Sequence, residues 1–108
     1  MNELFITQKA KNDIKNALAY IQNNLCNSSA ASDLAVEITK QISMLKSHPK
    51  TGPLVSDAFL SDAGIRFLLI KNYKVYYKIE KKESKTVIYI IRFLHSRQNY
   101  ETILREQK

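Results

Sequence analysis

Apolar positions along the chain change period several times, and each change marks an element. Met1–Ile6 is a short apolar-rich run that suits a strand, and Thr7 follows it as an N-cap. Ala10, Ile14, Ala17, Leu18, Ile21 and Leu25 then recur at helical spacing, predicting a helix from about Gln8 to Asn24 with Lys11, Lys15, Asn16 and Gln22 off the stripe. Cys26-Asn27-Ser28-Ser29 breaks it and offers serines to cap the next. Ala31, Leu34, Ala35, Ile38, Ile42 and Leu45 make a second stripe, ending near Ser47-His48 because Pro49 disfavours helix in the residue before it. A helical hairpin follows, its stripes facing each other and a sheet.

Pro49-Lys50-Thr51-Gly52-Pro53 is a turn by composition, and Leu54 to Ala63 has no period, so it reads as loop. Ile65–Lys71, Tyr73–Lys81 and Thr86–His95 are rich in Ile, Val, Tyr and Phe and read as strands. Their connections are too short for parallel crossovers, so they form an antiparallel meander. In the second of them Tyr73, Val75, Tyr77 and Ile79 share the core face, leaving Lys74, Tyr76, Lys78 and Glu80 on a wet, basic one. The third is apolar on both faces and should be central or covered, and parity sets its Arg92 among Ile90 and Leu94. Glu101–Glu106 adds one or two helical turns. The reading is α+β: strand, two-helix hairpin, three-stranded antiparallel meander, short C-terminal helix.

With 108 residues, 44% of them apolar, the chain suits one domain spanning 1–108. About two thirds of its surface is buriable on folding. Charge changes the picture more. Residues 1–70 carry seven Lys/Arg against six Asp/Glu and residues 71–108 ten against four, so the net +7 belongs almost wholly to the C-terminal third. Such a field attracts phosphate polyanions or an acidic protein. A lone cysteine, Cys26, without zinc-ligand spacing predicts a reducing compartment, no disulfide, no metal and no cofactor. With no secretory or membrane segment in the sequence, the cytoplasm is the expected location.

Taken in order, the Pro49-x-x-Gly52 segment after the hairpin, Gly64-Ile65-Arg66, Asn72-Tyr73-Lys74-Val75-Tyr76-Tyr77, and Ile90-Ile91-Arg92-Phe93-Leu94-His95-Ser96-Arg97 resemble the RelE/ParE superfamily of bacterial toxin–antitoxin toxins. The resemblance spans nearly the whole chain. It implies growth inhibition, and a cognate antitoxin that the basic charge predicts to be acidic and partly disordered. RelE-like members cut mRNA on the ribosome without metal, whereas ParE-like members bind DNA gyrase. The first expectation is ribosome-dependent mRNA cleavage; the alternatives are ParE-like gyrase inhibition and a non-toxic nucleic-acid-binding module.

Metal-free cleavage uses the 2′-hydroxyl as nucleophile, so it needs a base, cations for the phosphate and an acid for the leaving oxygen. His95, Arg97, Tyr100 and Lys74 are the candidate catalytic set. Arg66, Lys71 and Lys78 could bind phosphate or RNA, and Arg92 and Arg97 could contact the antitoxin. Each also has a structural reading: His95 as a strand-end hydrogen-bonding residue, Arg66 paired across the sheet, Arg92 in a covered ion pair, Lys74 and Lys78 as solvated strand-face residues. Lys74 also stands where RelE-like nucleases usually carry arginine.

Overall fold

Thr7 fixes where the first strand ends and the first helix begins. In this computed structural model, which describes residues 2–106, its hydroxyl accepts from the Ala10 N–H at 3.2 Å and donates to the Ile91 carbonyl at 3.0 Å. The cap thereby ties the helix start to the sheet. Met1, the expected first residue of the strand, lies outside the described residues.

The elements run β1 (Asn2–Ile6), α1 (Gln8–Ala19), a π-helical turn (Tyr20–Asn24), α2 (Ser28–Ser47), a 3₁₀ turn (Pro49–Thr51), α3 (Ala58–Asp62), β2 (Arg66–Ile70), β3 (Tyr73–Lys82), β4 (Lys85–His95) and α4 (Tyr100–Arg105). The hairpin, the meander and the C-terminal helix stand as expected. Asn27 rather than a serine caps α2, accepting from the Ala30 N–H at 3.0 Å. Leu54–Ala63 is not all loop: Asp57 caps α3 by accepting from the Leu60 N–H at 3.1 Å. A five-residue helix is too short to display a period.

The sheet order is β1-β4-β3-β2, with β1 parallel to β4 and the other pairs antiparallel. The connection that this parallel pair requires runs through the hairpin, α3, β2 and β3. β4 is central, as its two apolar faces demand. On one face Ala10, Leu34, Ile38, Ile42 and Leu45 from the helices pack on Ile70, Val75, Tyr77, Ile88, Ile90 and Phe93.

The opposite face is not simply wet. Val55, Leu60, Ile65, Tyr76, Leu94 and Leu104 form a second core beneath α3 and α4, with Tyr76 only 3% exposed. A bulge makes this possible. Tyr76 pairs with Arg92 but Tyr77 with Ile90, so Ile91 is an additional residue in β4. Ile88, Ile90 and Phe93 therefore face the hairpin while Ile91 and Leu94 face the second core, and Arg92 does not share one face with Ile90 and Leu94.

Tyr77 links the core to the Pro49–Pro53 turn. Its buried hydroxyl donates to the Pro49 carbonyl at 2.7 Å and accepts from the Gly52 N–H at 2.9 Å, while Arg66 Nη1 donates to the Gly52 carbonyl at 2.7 Å. Gly52 is required by close approach: a Cβ there would lie 2.2 Å from the Phe67 carbonyl oxygen.

Removing the hydroxyl in Tyr77→Phe takes this partner from the Pro49 carbonyl and the Gly52 N–H. Urea unfolding should show a loss of about 1–3 kcal/mol with an unchanged m-value. Gly52→Ala, which forces backbone apart, should cost more. A second expectation concerns alkali. Burial, and secondarily the neighbouring Tyr100, push the Tyr76 phenol from 10.0 up to about 12. Between those values the unfolded chain has released a proton that the folded one retains, so stability falls as pH rises through the window. Tyr76 should contribute a loss of about 2–3 kcal/mol there, and Tyr76→Phe should flatten the decline measured by chemical denaturation at successive pH values.

Candidate functional site

Where β4 leaves the sheet, a tight turn orders the residues singled out by chemistry. Ser96 N–H donates to the Asn72 carbonyl at 2.8 Å, His95 N–H to Gln98 Oε1 at 2.8 Å, and Gln98 N–H to the His95 carbonyl at 2.9 Å. Asn99 then caps α4 by accepting from the Thr102 N–H at 3.3 Å. His95 Nδ1 accepts from the Arg97 backbone N–H at 3.1 Å, which puts the proton of the neutral ring on Nε2. The imidazole stands edge-on to Tyr73 at 5.2 Å between centroids. The Arg97 side chain is exposed in this turn and makes no ion pair among the described residues.

The sheet divides the candidate set. His95 pairs with Tyr73, and the two line a hollow of about 280 Å³ against the hairpin, with Tyr20, Leu25 and Leu34. Lys74 pairs with Leu94, which belongs to the second core, so it emerges on the opposite face. There its Nζ lies 5.0 Å from the Phe67 ring centroid, and it shares a hollow of about 310 Å³ with Ser56, Tyr76 and Tyr100. Tyr100 stacks on Tyr76 at 5.2 Å and an interplanar angle of 15°; its hydroxyl lies 3.3 Å from Ser56 Oγ and accepts from the Asp57 N–H at 3.2 Å. Lys74 and Tyr100 thus line one hollow, and His95 lines another across the sheet.

The remaining cations are distributed. Arg66 is committed to the Gly52 carbonyl. Lys78 lies 3.4 Å from Glu80 in an exposed pair. Lys71, left-handed at φ 55°, sits on the rim of the His95 hollow. Arg92 forms the partly buried pair: Nε donates to Asp13 Oδ2 at 2.6 Å and Nη2 to Oδ1 at 2.9 Å, and the Phe93 N–H donates to Oδ2 at 3.0 Å. Asp13 holds the guanidinium pKa above its ordinary value, chiefly through this hydrogen bond.

Sequence reasoning passed over Asp13, Tyr20 and Asp57. The signals were slight: Tyr20 is an aromatic off the helical stripe, and Asp57 precedes a five-residue helix. Leu25 was counted on the stripe but is 57% exposed, because the wider π turn rotates the residue after it out of phase. Asp57 accepts from Leu60 N–H and from Arg105 Nη2 at 2.6 Å; the backbone bond first, then the guanidinium, hold its carboxyl below the usual range. Among the described residues no helix is long and apolar enough to cross a membrane, and no group of three His, Cys, Asp or Glu side chains is placed to hold a metal.

A family model described as the ParE toxin of the type II toxin–antitoxin system parDE matches residues 4–100. Among solved structures the chain is similar to one of a chromosomal ParDE toxin–antitoxin system from P. aeruginosa, at 19% identity and a TM-score of 0.69 over 88% of this chain and 96% of that one. It is also similar to a YoeB/ParE toxin from Agrobacterium tumefaciens, at 16% identity and a TM-score of 0.59 over 86% and 97% of the two chains. No match is found among curated proteins. At these identities the two structures show the fold alone, α+β.

Two charge pairs give expectations. Asp13→Asn leaves the partly buried Arg92 without its counter-charge and should lower stability by about 2–3 kcal/mol. Combined with Arg92→Ala it should cost less than the two single changes added, as read by a double-mutant cycle in urea. The depressed Asp57 carboxyl stabilises the fold above its unfolded pKa, and that contribution is lost as pH falls through the lower folded value. Asp57→Asn keeps an N-cap but should be less sensitive to acid than wild type, measured by thermal unfolding at successive pH values below about 4.

Proposed function

The chain belongs to the ParE toxin family of type II toxin–antitoxin systems, and we propose that it arrests growth by binding DNA gyrase rather than by cutting mRNA. The observation that carries this reading is the sheet lying between His95 and the pair Lys74 and Tyr100. Attack by a 2′-hydroxyl needs base, cation and acid around one phosphate, each within hydrogen-bond reach. Here the imidazole opens toward the helical hairpin while the lysine and phenol open on the far face. Nδ1 of His95 is engaged by the Arg97 backbone, and Arg92 is matched by Asp13. A gyrase-binding toxin requires a surface and no proton relay.

Its partner in this reading is an acidic antitoxin. The net charge of +7 sets the sign, and Lys74 and Arg97, without internal carboxylate partners among the described residues, are where antitoxin carboxylates gain most. Lys78 adds to the same field across its exposed pair with Glu80.

Induced expression in bacteria separates the mechanisms. Growth arrest should come with lost gyrase supercoiling and DNA breaks, while transcript 5′ ends stay unchanged. The double variant Lys74→Gln, Tyr100→Phe, which strips the phosphate cation and the phenol from the far face, should arrest growth as wild type does. New transcript ends in wild type that vanish in this variant would overturn the reading and establish RNA cleavage.

A further inference from the structure

We propose that the hollow between the π-helical turn and the β2–β3 turn is the point at which this toxin grips its protein target. An apolar or aromatic side chain of the target enters beside Tyr20, Leu25 and Tyr73, and a neighbouring carboxylate meets Lys71. This rests on the reading that the toxin acts by binding a protein.

Independent observations converge there. The hollow, about 280 Å³, suits one or two side chains rather than a whole helix. Tyr20 and Leu25 on its rim are 52% and 57% exposed, although an unbroken α-helix would carry Leu25 on the buried stripe. The π turn that displaces it is a geometry found frequently at functional sites. Of the three non-glycine residues with left-handed backbone among the described residues, two, Cys26 at φ 50° and Lys71 at φ 55°, flank the same opening. Such conformations persist where surrounding structure enforces them and cluster at binding sites.

Charge selects the occupant. Among the described residues no carboxylate lines this hollow and Lys71 is its one lysine or arginine, so an incoming acid meets a cation with no carboxylate beside it there. A second copy of this chain would bring another net +7 and its own Lys71. An acidic, disordered antitoxin gains more from the outer sheet face, where Lys74 and Lys78 project from one strand. A mostly apolar recess with a single cation fits instead an anchor side chain on a folded partner, the arrangement in which a few residues dominate binding.

The test uses Leu25→Ser combined with Lys71→Asn. Both side chains are exposed, and asparagine tolerates the left-handed backbone at position 71, so the fold should survive, as circular dichroism and thermal unfolding would verify. Growth arrest on induction, supercoiling inhibition by purified toxin and affinity for the cognate antitoxin are measured together. The variant should need at least about tenfold more protein for half-inhibition and lose growth arrest, with antitoxin affinity within about twofold of wild type. Full toxicity in the variant would overturn the inference, as would antitoxin affinity falling in step with toxicity, which would give the hollow to the antitoxin. Self-association of wild type abolished by the variant would give it to a second copy. If wild type arrests growth but leaves gyrase untouched, the gyrase reading fails while loss of arrest in the variant still supports the hollow. A wild type that arrests nothing overturns both.

Discussion

The additional residue in β4 is the constraint from which most of the molecule follows. A central strand between β1 and β3 must bury side chains on both faces, and strict alternation would assign all of them by parity. Ile91 interrupts that alternation. Upstream of it, even-numbered Ile88 and Ile90 meet the hairpin; downstream, odd-numbered Phe93 does, and Leu94 turns to the second core. The same bulge places the Ile90 and Ile91 carbonyls against Thr7, whose hydroxyl donates to Ile91 and whose N–H donates to Ile90, so the irregular backbone is anchored to the start of α1. Nearly two turns further along α1, Asp13 accepts from both Arg92 and the Phe93 N–H. Polar groups that a bulge would leave unsatisfied are thus supplied with partners by one helix.

The bulge also decides the chemistry available. Without it, strand parity would put His95 on the face of Lys74 and Tyr100. With it, His95 sits across from Tyr73 against the hairpin, and its ring becomes an acceptor for the turn that follows. The physical question is which face His95 occupies, and one inserted residue changes the answer.

The second core shows how a small protein covers a sheet with little chain. Neither α3 nor α4 is long enough to be stable alone. Asp57 joins them: it caps α3, pairs with Arg105 of α4, and its N–H donates to the Tyr100 hydroxyl. The stack of Tyr100 on Tyr76 then replaces water over a strand position that the alternation had assigned to solvent. The basic charge of the C-terminal third survives this covering at Lys74, Lys78 and Arg97, which keeps the field outward-facing.

What the sequence determined by itself was everything with local cause. The helical stripes, Thr7, the halt before Pro49, the β-rich runs and their short connections fixed the hairpin and the meander, and their order with the Leu94-His95-Ser96-Arg97 ending carried the family resemblance. The concentration of positive charge was likewise countable. What only the tertiary structure decided depended on contacts distant in sequence: the parallel pairing of β1 with β4, the covering of Tyr76, the committed roles of Arg66 and Arg92, and the parity change at Ile91. A bulge has no composition of its own, because Ile91 fits either face of a strand. Its position is set by the cap at Thr7 and the carboxylate at Asp13, more than seventy residues away in sequence, and no pattern along β4 could announce them.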